Sequence, residues 1–146
     1  MRVGVGQGVA AAEMSRLIYG EANTDVVLYE SAYPVLNEVL CMSLGQQDFI
    51  GCGIVGDTDR DWLSDTPNPD RTVHGAAIDT FGNFTSIDGD SGSPIYRDLG
   101  WQGSSFEYTP IGILDAERTG THGNHDIYFA KVRKALEIWD AEIWPD

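Results

Sequence analysis

The sequence predicts an all-β domain closed by a C-terminal α-helix, and three observations carry that prediction. Seventeen glycines and six prolines punctuate 146 residues, which favours many short strands over a helical bundle. The apolar runs between them are short and are bounded by turn residues. Only the last stretch, Ile127 to Trp139, shows the three- and four-residue spacing of a helix, through Phe129, Val132, Leu136 and Trp139. At this length a single hydrophobic core is expected.

Taken in order, Val3 to Leu17 mixes glycine-rich alternation with the helix-like AAAEMSRL and gives no clear element. Asp25 to Tyr29 reads as a short strand, and Glu30 to Glu38, with Pro34, as a linker. Cys41–Ser43 and Phe49–Val55 read as two strands around the turn Gly45–Asp48. Asp57 to Arg71 holds five aspartates and two prolines and is expected to be a solvated loop. Val73–Ile78, the Thr80–Ser86 region, Pro94–Tyr96 and Thr109–Leu114 are further strands, with a loop at Gly100–Ser105.

Charge excludes one class of partner. A formal net charge of −14, from 23 acidic against 9 basic residues, argues against nucleic acid. No apolar run approaches the roughly 18 residues of a membrane span. Residues 1–17 contain no continuous apolar core of the signal-peptide kind. Cys41 and Cys52 lie 11 residues apart, a spacing that fits either a hairpin disulfide or two buried thiols.

The most informative string is Asp88-Gly89-Asp90-Ser91-Gly92-Ser93-Pro94. A serine between glycines sits where the chain turns tightly and can expose backbone N–H groups, the donors that stabilise an oxyanion in acyl transfer. The same residues also make an ordinary β-turn. The string resembles the nucleophile motif GDSGGP of chymotrypsin-fold (trypsin-like) serine peptidases, with Ser93 in place of the commoner glycine. Four further segments follow the family's order. Asn23 to Leu28 resembles its N-D-[IV]-A-L strand, and Asp25 lies 66 residues ahead of Ser91. Val39–Gly45 with Ile50–Val55 is similar to the disulfide hairpin of streptogrisin-like bacterial members. Pro110–Leu114 resembles the strand lining the primary specificity pocket. Tyr128-Phe129, Val132 and Ala135-Leu136 are similar to the closing F-x-P-V-x-x-A-L helix.

The resemblance implies a chymotrypsin-like β-barrel: residues 1–38 as a remnant of a first barrel with a linker, residues 39–146 as the second barrel with its C-terminal helix. It implies serine-type endopeptidase chemistry on a polypeptide substrate outside the cell, without cofactor or metal. Ser91 would be the nucleophile, Asp25 the carboxylate that orients the catalytic histidine, and the Gly89 and Ser91 N–H groups the oxyanion hole. Thr85, Asp88, Asp115, Ala116 and Glu117 would line the substrate pocket, whose acids favour a basic side chain. Cys41 and Cys52 would be disulfide-bonded. Asp90 would bind a new N-terminal amine in zymogen-activated members and serve differently in bacterial ones.

The histidine itself is missing. The family's order is His, Asp, Ser, yet His74, His122 and His125 all follow Asp25, and each is expected to be structural or superficial. The leading expectation is a C-terminal portion of a peptidase whose N-terminal segment lies elsewhere in the same precursor. The alternatives are a non-catalytic pseudopeptidase kept for binding, a rearranged catalytic site, or a histidine supplied by another chain. Three weaker signals are set aside. Asp57–Asp61 lacks the glycine and glutamate of a calcium loop, Gly4–Gly8 has no βαβ context, and His122 and His125 lack partner ligands.

Overall fold

A computed structural model of the chain describes residues 25–27, 30–63, 72–119 and 125–143. The strands are β1 (Asp25–Val27), β2 (Val39–Leu44), β3 (Phe49–Leu63), β4 (Thr72–Asp79), β5 (Pro94–Trp101), β6 (Phe106–Thr119) and β7 (His125–Lys131), followed by the helix α1 (Val132–Trp139). Hydrogen-bonded neighbours run β6-β5-β2-β3-β4-β7, and β7 returns to β6, so β2 to β7 close an antiparallel six-stranded barrel. Closure removes the edges on which open sheets aggregate. β1 is added outside the barrel, parallel to the start of β6.

The core follows from period-two alternation. Leu40, Met42 and Leu44 of β2 point inward and meet Val55, Ile78, Ile95, Ile111, Ile127 and Phe129, all at most 1% exposed. On the outer face of β2, Cys41 packs with Tyr96 and Tyr108, whose rings meet edge-on at 5.2 Å. Cys41 and Cys52 are register partners across β2 and β3 and are disulfide-bonded. Closing so short a loop limits the unfolded chain, so reduction is expected to cost about 3 kcal/mol. Urea unfolding with and without reductant measures it, and an unchanged midpoint after verified reduction would contradict the entropic account.

Residues 30–38 form a strap rather than a free linker. Their backbone bonds the barrel through the Ala32 N–H to the Pro110 carbonyl (3.2 Å) and the Asn37 N–H to that of Val55 (2.9 Å). Arg97 donates to Glu38 through Nε (2.7 Å) and Nη2 (3.0 Å), an ion pair that raises the guanidinium pKa further. At α1, the Tyr33 hydroxyl donates to Glu137 Oε2 (2.6 Å), which holds that carboxyl below its usual range and raises the tyrosine.

Several expectations are corrected. The helix begins at Val132, not Ile127, because Ile127, Tyr128 and Phe129 are consecutively buried, which a strand covered on both faces satisfies and one helical stripe does not. Residues 57–63, expected in a loop, extend β3 along β4 up to the Leu63–Thr72 pair, while residues 64–71 lie outside the described set. The Thr80–Ser86 strand is absent. Phe81 (φ 54°) and Gly82 (φ 72°) turn the chain there, closed by the Asn83 N–H on the Thr80 carbonyl (3.0 Å). Residues 1–24 of the expected first-barrel segment lie outside the described set, and Asp25–Val27 pairs in parallel with Phe106–Tyr108 of β6. No helix among the described residues is long and apolar enough to cross a membrane.

Candidate active site

Ser91 sits on a loop between β4 and β5 built from two successive turns. The Asp90 N–H bonds the Ile87 carbonyl and the Ser93 N–H bonds the Asp90 carbonyl, each at 3.0 Å. Both turns need a residue with positive φ, which Gly89 (97°) and Gly92 (91°) supply. The loop is spliced to β6 by the Gly92 N–H on the Leu114 carbonyl (2.8 Å) and the Leu114 N–H on the Ser93 carbonyl (2.9 Å). Neither the Gly89 nor the Ser91 N–H has a backbone acceptor among the described residues.

Beneath the exposed Ser91, Asp90 is fully buried. Its carboxylate accepts from the Gln46 N–H (3.0 Å), Gln47 Nε2 (2.6 Å) and the Ile87 N–H (3.0 Å). Three neutral donors of the chain itself therefore satisfy this buried carboxylate. The turn between β2 and β3 thus braces the loop that carries Ser91. Gln46 and Gln47 were not legible as site residues, since polar residues in a turn are expected anyway.

The Ser91 hydroxyl donates to the Asp115 carbonyl at 3.3 Å. Beside this contact opens a cavity of about 350 Å³, lined by Ser86–Gly89, Ser91, Leu114 and Asp115. Asp115 is the extra residue of a bulge: Leu114 pairs with Phe129 and Ala116 with Tyr128, leaving Asp115 unopposed. Its Oδ2 accepts from the Trp62 indole N–H at 2.7 Å. The Trp62 ring lies on the backbone of Gly75, where a Cβ would overlap it, and packs on Tyr128 at 5.8 Å. Trp62 was hidden in a segment read as loop; a lone tryptophan among aspartates was the available signal.

The expected site residues divide into two groups. Ser91, Gly89, Asp88 and Asp115 come together around the cavity. Thr85 does not line it; its carbonyl instead accepts from Gln47 Nε2 (2.9 Å). Ala116 and Glu117 continue β6 beside β7, and their side chains lie outside the described set. Asp25 is not brought to Ser91. It pairs with Phe106, nine residues along β6 from Asp115, or roughly 30 Å of straight strand. His74 Nδ1 lies 3.0 Å from Asp61 Oδ2, and no described histidine side chain lines the cavity. His122 lies outside the described residues, as does the side chain of His125.

No family model and no curated protein matches the chain. Two solved structures are similar in fold. A glutamic-acid-specific serine protease that uses a histidine triad in substrate binding matches with a TM-score of 0.54 and 17% identity, over 83% of this chain and 55% of that one. A Nocardiopsis protease matches at 0.50 and 16%, over 78% and 52%. The chain thus spans about half the length of these neighbours. The fold is the chymotrypsin-like β-barrel of serine proteases, with one short C-terminal helix.

Proposed function

We propose that the chain carries the nucleophile-bearing second barrel of a serine endopeptidase, closest in pattern to streptogrisin-like bacterial members and acting outside the cell. The observation that carries this reading is the placement of Ser91: exposed at a cavity mouth, on a loop whose Gly89 and Ser91 amides lack backbone acceptors, braced from below by buried Asp90. Ser91 Oγ attacks the scissile carbonyl carbon, and the two amides receive the oxyanion. The C–N bond then breaks as the base passes the Ser91 proton to the leaving amine, and water hydrolyses the Ser91 ester to free the carboxylic acid and restore the hydroxyl.

The hydroxyl proton needs a base, and an imidazole from the N-terminal segment of the same precursor is its source. Asp25, the carboxylate this reading assigns to orienting that imidazole, lies on β1, which pairs with the start of β6 at Phe106. The Cys41–Cys52 disulfide is consistent with a secreted protein.

A second reading, a non-catalytic pseudopeptidase that binds rather than cleaves, is favoured by one contact: the Ser91 hydroxyl rests on a carbonyl rather than on a base. A fluorophosphonate probe separates the two. The chain alone is expected to label only slowly, and the chain joined to its upstream segment to label on Ser91 at least 100-fold faster, in keeping with the cost of a missing triad member. Ser91→Ala should abolish that labelling. Failure to label in both forms would overturn the peptidase reading and leave the binding domain.

A further inference from the structure

We propose that Trp62 is a positioning residue for Ser91: its indole N–H anchors the β6 bulge at Asp115, and the bulge in turn orients the Ser91 hydroxyl. The proposal rests on Ser91 being the nucleophile, which is what gives the direction of that hydroxyl a consequence.

The bulge creates the need. A bulge residue is left outside the ladder of cross-strand hydrogen bonds. Asp115 is that residue, since Leu114 pairs with Phe129 and Ala116 with Tyr128. Yet this stretch of β6 is what the nucleophile loop is fastened to. The Gly92 N–H bonds the Leu114 carbonyl (2.8 Å), the Leu114 N–H bonds the Ser93 carbonyl (2.9 Å), and the Ser91 hydroxyl donates to the Asp115 carbonyl (3.3 Å). A serine side chain has three staggered directions open to it, and this acceptor selects one. The carbonyl cannot take the proton, so it orients the nucleophile and leaves the base its role. A residue unopposed on β7 therefore sets where Ser91 Oγ points, and it needs an anchor of another kind.

Trp62 supplies that anchor. It stands on the outer half of β3, opposite Val73 of β4. β4 pairs with β7 and β7 with β6, so the indole has two strands to cross before it meets Asp115. Gly75 of β4 opens the path, because its bare backbone lies under the ring, where a Cβ would overlap it. On β7 the ring packs on Tyr128 at 5.8 Å, and the Tyr128 hydroxyl accepts from Arg60 Nη2 at 3.0 Å. A tryptophan immobilises only two side-chain torsions in such a setting, which makes it a stiff support. From there the indole N–H donates to Asp115 Oδ2 at 2.7 Å, a short bond to a charged acceptor and hence one of the stronger kind. The Asp115 carboxylate thus faces Trp62 while its carbonyl faces Ser91, and a single residue couples the two side chains. Reacting atoms must be held closely for attack, so slack at the bulge is slack at Oγ.

Two readouts test this. Amide hydrogen exchange on the chain reports the bulge without requiring catalysis. In Trp62→Phe, which keeps an aromatic ring and removes the donor, the Gly92 and Leu114 amides should exchange about tenfold faster, while those of Leu40 and Met42 in β2 keep their rates. A role in global stability alone would speed all four together. Phosphonylation of Ser91, in whichever form of the protein labels, should fall about tenfold in Trp62→Phe and in Asp115→Ala, and no further in the double variant, because the two changes remove one bond. Asp115→Asn returns an acceptor oxygen to the indole and should recover most of the Asp115→Ala loss, which separates the hydrogen bond from the charge. Labelling unchanged in Trp62→Phe, losses that add in the double variant, no recovery in Asp115→Asn, or exchange quickened evenly over the barrel would overturn the positioning role and leave the peptidase reading standing. Absence of labelling in every form would remove the peptidase reading, and this proposal with it.

Discussion

Phe129→Ala is expected to lower stability by about 3–5 kcal/mol, the range for deleting a fully buried aromatic side chain. For a single domain that is a large share of a total of roughly 5–15 kcal/mol. The position explains the size. Phe129 is 0% exposed, and its residue pairs with Ala76 of β4 on one side and Leu114 of β6 on the other, so it stands at the seam where the barrel closes. Its ring also covers Gly112, where a Cβ would overlap it. Gly112→Ala alone should therefore overpack the same spot and cost about 1–3 kcal/mol. Because the new methyl would enter space the lost ring vacates, the double variant should be less damaged than the two single losses together. Urea unfolding of the four proteins measures the coupling. A loss below about 1 kcal/mol for Phe129→Ala, or strict additivity, would show that the ring does not fill the seam.

That seam also shows what sequence reading could and could not reach. The nucleophile loop, the β2–β3 hairpin with its cysteines, and the pocket strand were legible because each combines special backbone residues with β-forming neighbours. Partners were less legible than elements. Asp25-Val26-Val27 reads as a strand on composition, but nothing local says whether it pairs within a first barrel or along the open edge of β6, where it lies. The outer half of β3 was missed because Asp57 to Leu63 alternates mostly polar residues; it stays extended through pairing with β4 rather than through core burial. At the C-terminus, Phe129, Val132 and Leu136 do fall at helical spacing, yet burial of Tyr128 between Ile127 and Phe129 settles that stretch as strand. Trp62 joined the site only through that unexpected length of β3, which carries the indole to Asp115.

Asp90→Asn is expected to cost about 2–4 kcal/mol and to disable the site beyond that loss. All three donors at its carboxylate are neutral, and the residue is fully buried. An amide keeps one acceptor oxygen but turns an NH2 group toward either the Gln46 N–H or the pair formed by Gln47 Nε2 and the Ile87 N–H. At least one buried donor is left facing a donor, and an unsatisfied buried group costs about 1–3 kcal/mol. The Ile87 N–H bond to the carboxylate spans the turn that the Asp90 N–H closes on the Ile87 carbonyl and that holds Gly89 at φ 97°, and the Gln46 bond ties that turn to the β2–β3 connection. Loss of either lets the Gly89 and Ser91 amides drift from where an oxyanion would meet them. Loss of a single oxyanion donor costs on the order of 10²–10³ in rate. In whichever form of the protein labels at Ser91, phosphonylation should therefore fall about 100-fold or more in Asp90→Asn, at a temperature where circular dichroism still reports a folded barrel. Gln47→Ala removes one donor and leaves the carboxylate with two, so it should slow labelling far less. Equal labelling of Asp90→Asn and the parent would show that Asp90 stabilises the barrel without shaping the loop, and that the amides are positioned by the β6 splice alone.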